Sequence, residues 1–260
     1  MYNLPEMRPV NAAFWTALRG LLAGANVDAP SNLLFERPPV PDRIGPEILF
    51  SQTCGYPLET LFRGQAVQLG TPCYDAAGCE GATHCGFFVV HADCRARDLR
   101  DLAGRVFLLN SRHSNSGMNL PRRALAEIAG GKAFFGQVIE TGSQPGNLDR
   151  IARGEGDVTA VDCVTYAFWS KYRPEAASRT AILARTPPSP AIPFVTSAGT
   201  SPEIVEILRN ALRRLAREET FAAVRAGLLL RDIIDVPPQR YHALLDYERQ
   251  AAQRGYAELT

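Results

Sequence analysis

The sequence predicts an α/β fold with mostly parallel strands, and three observations carry that prediction. Short runs rich in β-branched and aromatic residues alternate with runs of helical periodicity along the chain. Hydrophobic residues make up 46% of it and charged residues 21%, the balance of a packed interior rather than of a disordered tail. Two stretches rich in Pro, Gly and small residues, 72–81 (PCYDAAGCEG) and 185–193 (RTPPSPAIP), interrupt the alternation and read as connections. They divide the 260 residues into a beginning, a middle and an end. If both are crossings, the first lobe comprises 1–90 and 187–260, and 91–186 is an inserted second lobe.

Each element has its own warrant. Phe14, Leu18, Leu21 and Leu22 recur at helical spacing over 11–22, with Gly24 beyond as a stop. Strands are expected at 48–51, 66–69, 86–90, 105–110, 137–141, 158–162, 181–184 and 194–196, with helices between them, one of them over 148–153. Ser201, Pro202 and Glu203 supply an N-cap, a proline at the first helical position and an acid in the first turn. From there Ile204, Ile207, Leu208, Ala211, Leu212 and Leu215 form an apolar stripe, with Arg209, Arg213 and Arg214 on the wet side. The tail, 241–259, reads as a helix packing back on a lobe through Leu244, Leu245, Tyr247 and Ala251.

Composition excludes several classes. With 28 Lys and Arg against 27 Asp and Glu, the net charge of +1 leaves no basic surplus for nucleic acid. No run approaches the roughly 18 apolar residues that span a bilayer. The first twenty residues hold Pro5, Glu6, Arg8, Pro9 and Asn11 where a secretory signal needs an unbroken apolar block. The chain as written is therefore expected in the cytoplasm, or in the periplasm if its true start lies upstream. The nucleophile-elbow, phosphate-loop, dinucleotide-turn and His-Glu-x-x-His patterns are all absent. Lys132 and Lys171 are the only lysines, which removes most Schiff-base candidates. Six cysteines read mainly as small buried hydrophobes. Cys73, Cys79, Cys85 and Cys94 with His84 match no template for a tetrahedral metal site, and neither metal nor cofactor is expected.

Four polar junctions carry the functional reading. In FLLNSRHSNSGMN a strand ends in Ser114, Asn115, Ser116 and Gly117 and runs on through Asn119 into a helix. Free N–H groups and the positive helix end make such a junction suited to an anion, although the same serines could simply cap the helix. ETGSQ at 140–144 (Ser143, Gln144), SQTCGYP at 51–57 (Gln52, Tyr56) and AVDCVT at 160–165 (Asp162) repeat the pattern. In a parallel sheet these turns share the carboxyl edge, where such folds bind ligands. Asp162 either contacts ligand or caps the helix that follows. His113 and Arg112 are the cations nearest these turns.

SQTCGYPL, SNSGMN, FF…ETGSQ, AVDCVT and the late FVTSAGTSPEIVEILRNAL resemble, in order and over nearly the whole chain, the substrate-binding proteins of the phosphonate/phosphate/sulfonate ABC-transporter group. The resemblance implies a type 2 periplasmic-binding fold, two α/β lobes with a ligand cleft between them. It implies a monomer that captures a small polar or anionic ligand, with a transporter permease as partner. Tyr2, Gln52 and Tyr56 would contact ligand from the first lobe, Tyr74 from near the hinge, and Ser114, Asn115, Ser116, Gly117, Asn119, Ser143, Gln144 and Asp162 from the second. Phosphonate binders similar to this chain tend to carry a histidine where Gln144 stands, so a less charged ligand is expected. Signal-less proteins of similar architecture include chorismate dehydratase. A cytoplasmic enzyme acting on a small metabolite, with Asp162, His113 and Cys54 or Cys163 at its site, is the alternative.

Overall fold

The computed structural model describes residues 2–36 and 43–260. The strands are β1 (Ser51–Gln52), β2 (Ala66–Tyr74), β3 (Thr83–His84), β4 (Gly86–His91), β5 (Val106–Leu109), β6 (Gln137–Glu140), β7 (Val158–Asp162), β8 (Thr180–Arg185), β9 (Ser189–Pro190), β10 (Phe194–Ser197) and β11 (Leu230–Ile234). The helices are α1 (Arg8–Ala23), α2 (Gly55–Glu59), α3 (Leu120–Ala129), α4 (Gln144–Ala152), α5 (Cys163–Tyr172), α6 (Pro174–Ala177), α7 (Pro202–Arg217), α8 (Ala222–Gly227) and α9 (Ala243–Gln253). Mixed α/β architecture is as the sequence predicts. The chain forms two compact units: residues up to Thr83 with Pro190–Arg240, and His84–Ser189 with Tyr241–Thr260.

The first unit has a sheet ordered β1-β10-β2-β11, and every pairing in it is antiparallel. This corrects the expectation of mostly parallel strands. The strand expected over 66–69 runs on to Tyr74, through Pro72. Residues 66–70 of β2 pair with β10 and residues 71–74 with β11. Pro72 thus sits where the strand is paired on one side only, which is where a missing N–H is tolerated. Strand β11 was not expected, because Arg231 and Asp232 break its apolar run; it is an edge strand, where such charges deter further pairing. Phe14 of α1 stacks on Phe194 of β10 at 5.7 Å, and Phe50 lies 5.2 Å from Phe194 and 6.0 Å from Trp15. Helix α7 starts where expected, with the Ser201 side chain accepting from the Ile204 N–H. Leu208, Ala211, Leu212 and Leu215 of the expected stripe are buried together with Val205 and Ala216, while Ile204 and Ile207 are half-buried. Arg209 leaves the wet side and donates to the Gln68 carbonyl at 3.0 Å.

The second unit has a five-stranded sheet ordered β6-β5-β7-β4-β8. β5 is parallel to both β6 and β7, whereas β4 runs antiparallel to β7 and β8. The centre reads as continuous apolar runs, Phe87–Val90, Phe107–Leu109 and Val158, Ala160 and Val161, all buried, as strands covered on both faces require. Residues 241–260 belong to this unit, not to the first lobe as expected. Helix α9 packs on α3. Buried Arg122 donates to the Ala257 carbonyl at 2.8 Å, and Phe134 N–H to the Thr260 carbonyl at 2.7 Å. An amphipathic stripe says that a helix packs, not against what; the partner here is set by donors on α3 and the loop after it.

Candidate functional site

Because β5, β6 and β7 are parallel, their carboxyl ends share one edge, and three of the four junctions expected on one edge (114–119, 140–144 and 160–165) meet there; the fourth, 51–57, follows β1 in the antiparallel sheet of the first unit. After β5, Ser114 caps a π-helical turn, Asn115–Asn119, that runs straight into α3; its hydroxyl accepts from the Gly117 N–H at 3.0 Å. Gly117 is required there, since a Cβ would lie 1.9 Å from Asn110 Oδ1. After β6, Ser143 caps α4 by accepting from Gly146 N–H at 3.1 Å and is otherwise exposed.

Gln144 ties the edge together. Its amide nitrogen donates to Ser116 Oγ at 2.9 Å and reaches Ser114 Oγ at 3.4 Å. Its carbonyl oxygen accepts from the Asp162 N–H at 2.9 Å. Asp162 in turn caps α5, with Oδ1 accepting from Val164 N–H at 2.8 Å and Thr165 N–H at 3.2 Å. Capping, one of the two roles the sequence leaves open for Asp162, is seen in the structure. Its other oxygen lies 2.5 Å from Nδ1 of His84. The two side chains are both buried, so the pair exists without solvent to screen it.

His84 is the residue that sequence reasoning missed. It ends β3, two residues before β4 begins, and a strand antiparallel to β7 presents its beginning at the edge where β7 ends. A search confined to carboxyl ends of strands overlooks it. Beside it, the Cys163 N–H donates to the Cys85 carbonyl at 3.1 Å. A hydrogen bond to Cys163, with burial behind it, pushes the Cys85 thiol well above the ordinary thiol range.

Asn115 and Asn119 are spent elsewhere. Asn115 donates to Ser189 Oγ at 3.0 Å, and Asn119 donates to the Leu244 carbonyl at 3.0 Å while accepting from Arg122 at 2.6 Å. Arg112 is half exposed and pairs with Glu258 at 2.9 Å and Glu140 at 3.9 Å, and His113 is exposed. The four cysteines 73, 79, 85 and 94 are not gathered with His84: among the described residues the one group with metal-ligand spacing is His84, Asp162 and Cys163.

In the first unit, Gln52 donates to the Tyr74 hydroxyl at 3.0 Å and to the Ile192 carbonyl at 2.9 Å. The rings of Tyr2 and Tyr74 meet edge to face at 5.4 Å. These three expected residues form one group; Tyr56 is buried within α2.

Residues 73–241 match the family model described as ABC transporter, phosphonate, periplasmic substrate-binding protein. No curated protein matches the chain. Among solved structures, a binding-protein component of an ABC phosphonate transporter from Pseudomonas aeruginosa is 14% identical, with TM-score 0.75, covering 93% of this chain and 82% of that one. PhnD1 from Prochlorococcus marinus in complex with methylphosphonate is 15% identical, with TM-score 0.64, covering 92% and 84%. XAC2383 from Xanthomonas citri bound to ATP is 18% identical, with TM-score 0.59, covering 78% and 77%. These likenesses support the two-lobed periplasmic-binding fold, and the family match decides the role. The chain belongs to the periplasmic substrate-binding proteins of phosphonate ABC transporters.

Proposed function

We propose that this protein captures a small phosphonate-like oxyanion of low charge and delivers it to a transporter permease in the inner membrane. The observation that carries the reading is the hydroxyl pair Ser114 and Ser116, held by Gln144 at the start of the helical run that leads into α3. Hydroxyls and helix-start N–H groups together suit an anion. Charge bookkeeping limits which anion. Gln144 is neutral, Arg112 already faces two glutamates, and His84 faces Asp162. A dianion needs more compensation than this edge supplies, so a monoanion, such as an alkylphosphonate monoester or a sulfonate, fits better. The Tyr2, Gln52 and Tyr74 group is proposed to bind ligand as well, through the tyrosine hydroxyls. The family's periplasmic setting supports the second of the two compartments expected from the sequence.

Calorimetric titration with methylphosphonate, its monomethyl ester, methanesulfonate and phosphate tests the reading. Tightest binding of a monoanion, weakened by Ser116→Ala, supports it. Tightest binding of a dianion overturns the charge assignment, and affinities untouched by Ser116→Ala overturn the site.

A further inference from the structure

The two nitrogens of His84 have unequal surroundings. Nδ1 lies 2.5 Å from Asp162 Oδ2, whereas Nε2 is buried with no hydrogen-bond partner among the described residues, on a residue only 2% exposed. A polar atom buried without a partner is destabilising, and native folds keep few of them.

The register sets this imidazole beside the anion edge. Gly86 pairs with Asp162, and the ladder continues one step outward, where the Cys163 N–H donates to the Cys85 carbonyl. His84, two residues before Gly86, therefore shares a face with Gly86 and Asp162, as its contact with the Asp162 carboxylate requires. The Ser114–Ser116 turn lies over that face, since a Cβ on Gly86 would come within 3.1 Å of the Ser116 carbonyl oxygen. Gln144 joins the same group, accepting from the Asp162 N–H and donating to Ser116 Oγ.

We propose that His84 is a ligand-binding residue of the anion edge, donating from Nε2 to an oxygen of the bound monoanion while Asp162 holds the imidazole through Nδ1. The inference rests on the anion reading above and adds a directional donor to it. A His84–Asp162 pair with no net charge suits a neighbouring anion better than a negative one, so Nε2 bears a proton and the ligand presents an acceptor there. Sulfonates and phosphonate monoesters, whose anionic heads carry acceptor oxygens only, meet that demand.

The test titrates the full chain with methanesulfonate and with the monomethyl ester of methylphosphonate, in the wild type, His84→Asn, His84→Gln and Ser116→Ala. Asparagine keeps an amide at the place of Nδ1 and loses the Nε2 donor, whereas glutamine carries its amide nearer the place of Nε2. His84→Asn should therefore weaken both anions by about tenfold or more, and His84→Gln should recover part of that loss; a purely structural histidine would show no such difference in affinity. Unchanged affinity in His84→Asn, with Ser116→Ala weakened, overturns this inference and leaves the anion edge standing. Failure of the wild type to bind either anion, or equal affinities in all four proteins, overturns both. If the His84 variants fail to fold, wild-type protein with labelled histidine decides: no histidine Nε2 resonance shifted by saturating methanesulfonate also overturns the proposal.

Discussion

The two units use the same residue types to different ends. In the first, an all-antiparallel sheet sends successive strand ends to opposite edges, and its polar groups, Gln52, Tyr74 and Tyr2, satisfy one another in a small local set. In the second, three parallel strands aim three helix starts at one edge, and a single side chain, Gln144, links two of them to Ser116. Parallel topology concentrates N–H donors and caps, and that concentration, rather than any one residue, makes an anion edge.

The largest effect should come from breaking the buried pair beneath that edge. Asp162→Ala removes an N-cap and strands His84, so it should cost about 3–5 kcal/mol in urea denaturation, against about 1 kcal/mol for Gln52→Ala in the first unit. Equal losses would mean the two polar groups are energetically alike. Next, Ser116→Ala should weaken ligand by about 1–3 kcal/mol while leaving stability within about 1 kcal/mol. A parallel loss of stability would show the hydroxyl to be structural.

A smaller effect is expected at the end of the chain. Tyr256 donates to the Thr260 carbonyl at 2.7 Å and accepts from its N–H at 3.2 Å, and burial pushes the phenol up to about 12. A raised folded value means that the stabilisation is intact below pH 10 and is lost as pH climbs towards 12. Tyr256→Phe should therefore cost about 1 kcal/mol at neutral pH and flatten the alkaline fall in stability; an unchanged alkaline slope would remove this phenol as its source. Smallest of all, Ser201→Ala in the first unit should cost roughly 0.5–1 kcal/mol through loss of the α7 cap, measured by the same denaturation.

Legibility in the sequence followed locality. The Ser201-Pro-Glu start, the strand cores and the three second-unit junctions rest on neighbours in the chain and were readable there. Strand β2 was cut short because a proline's tolerance depends on which side of the strand is paired, and only the register shows that Pro72 has one free side. His84 escaped because its importance comes from a strand 70-odd positions away running the other way, a fact of topology. The serines of that turn lie together under Gln144. Asn115 and Asn119, equally polar and in the same turn, proved to hold Ser189 and the last helix, a division of labour that composition cannot express.

Arg122 anchors residues 241–260 to the second unit, which has a consequence for the folding path. The first unit needs sequence up to Arg240 and the second needs the twenty residues after it. Each unit therefore closes by joining segments far apart in the sequence, and loop closure of that span makes its folding slow compared with a unit built from neighbouring segments.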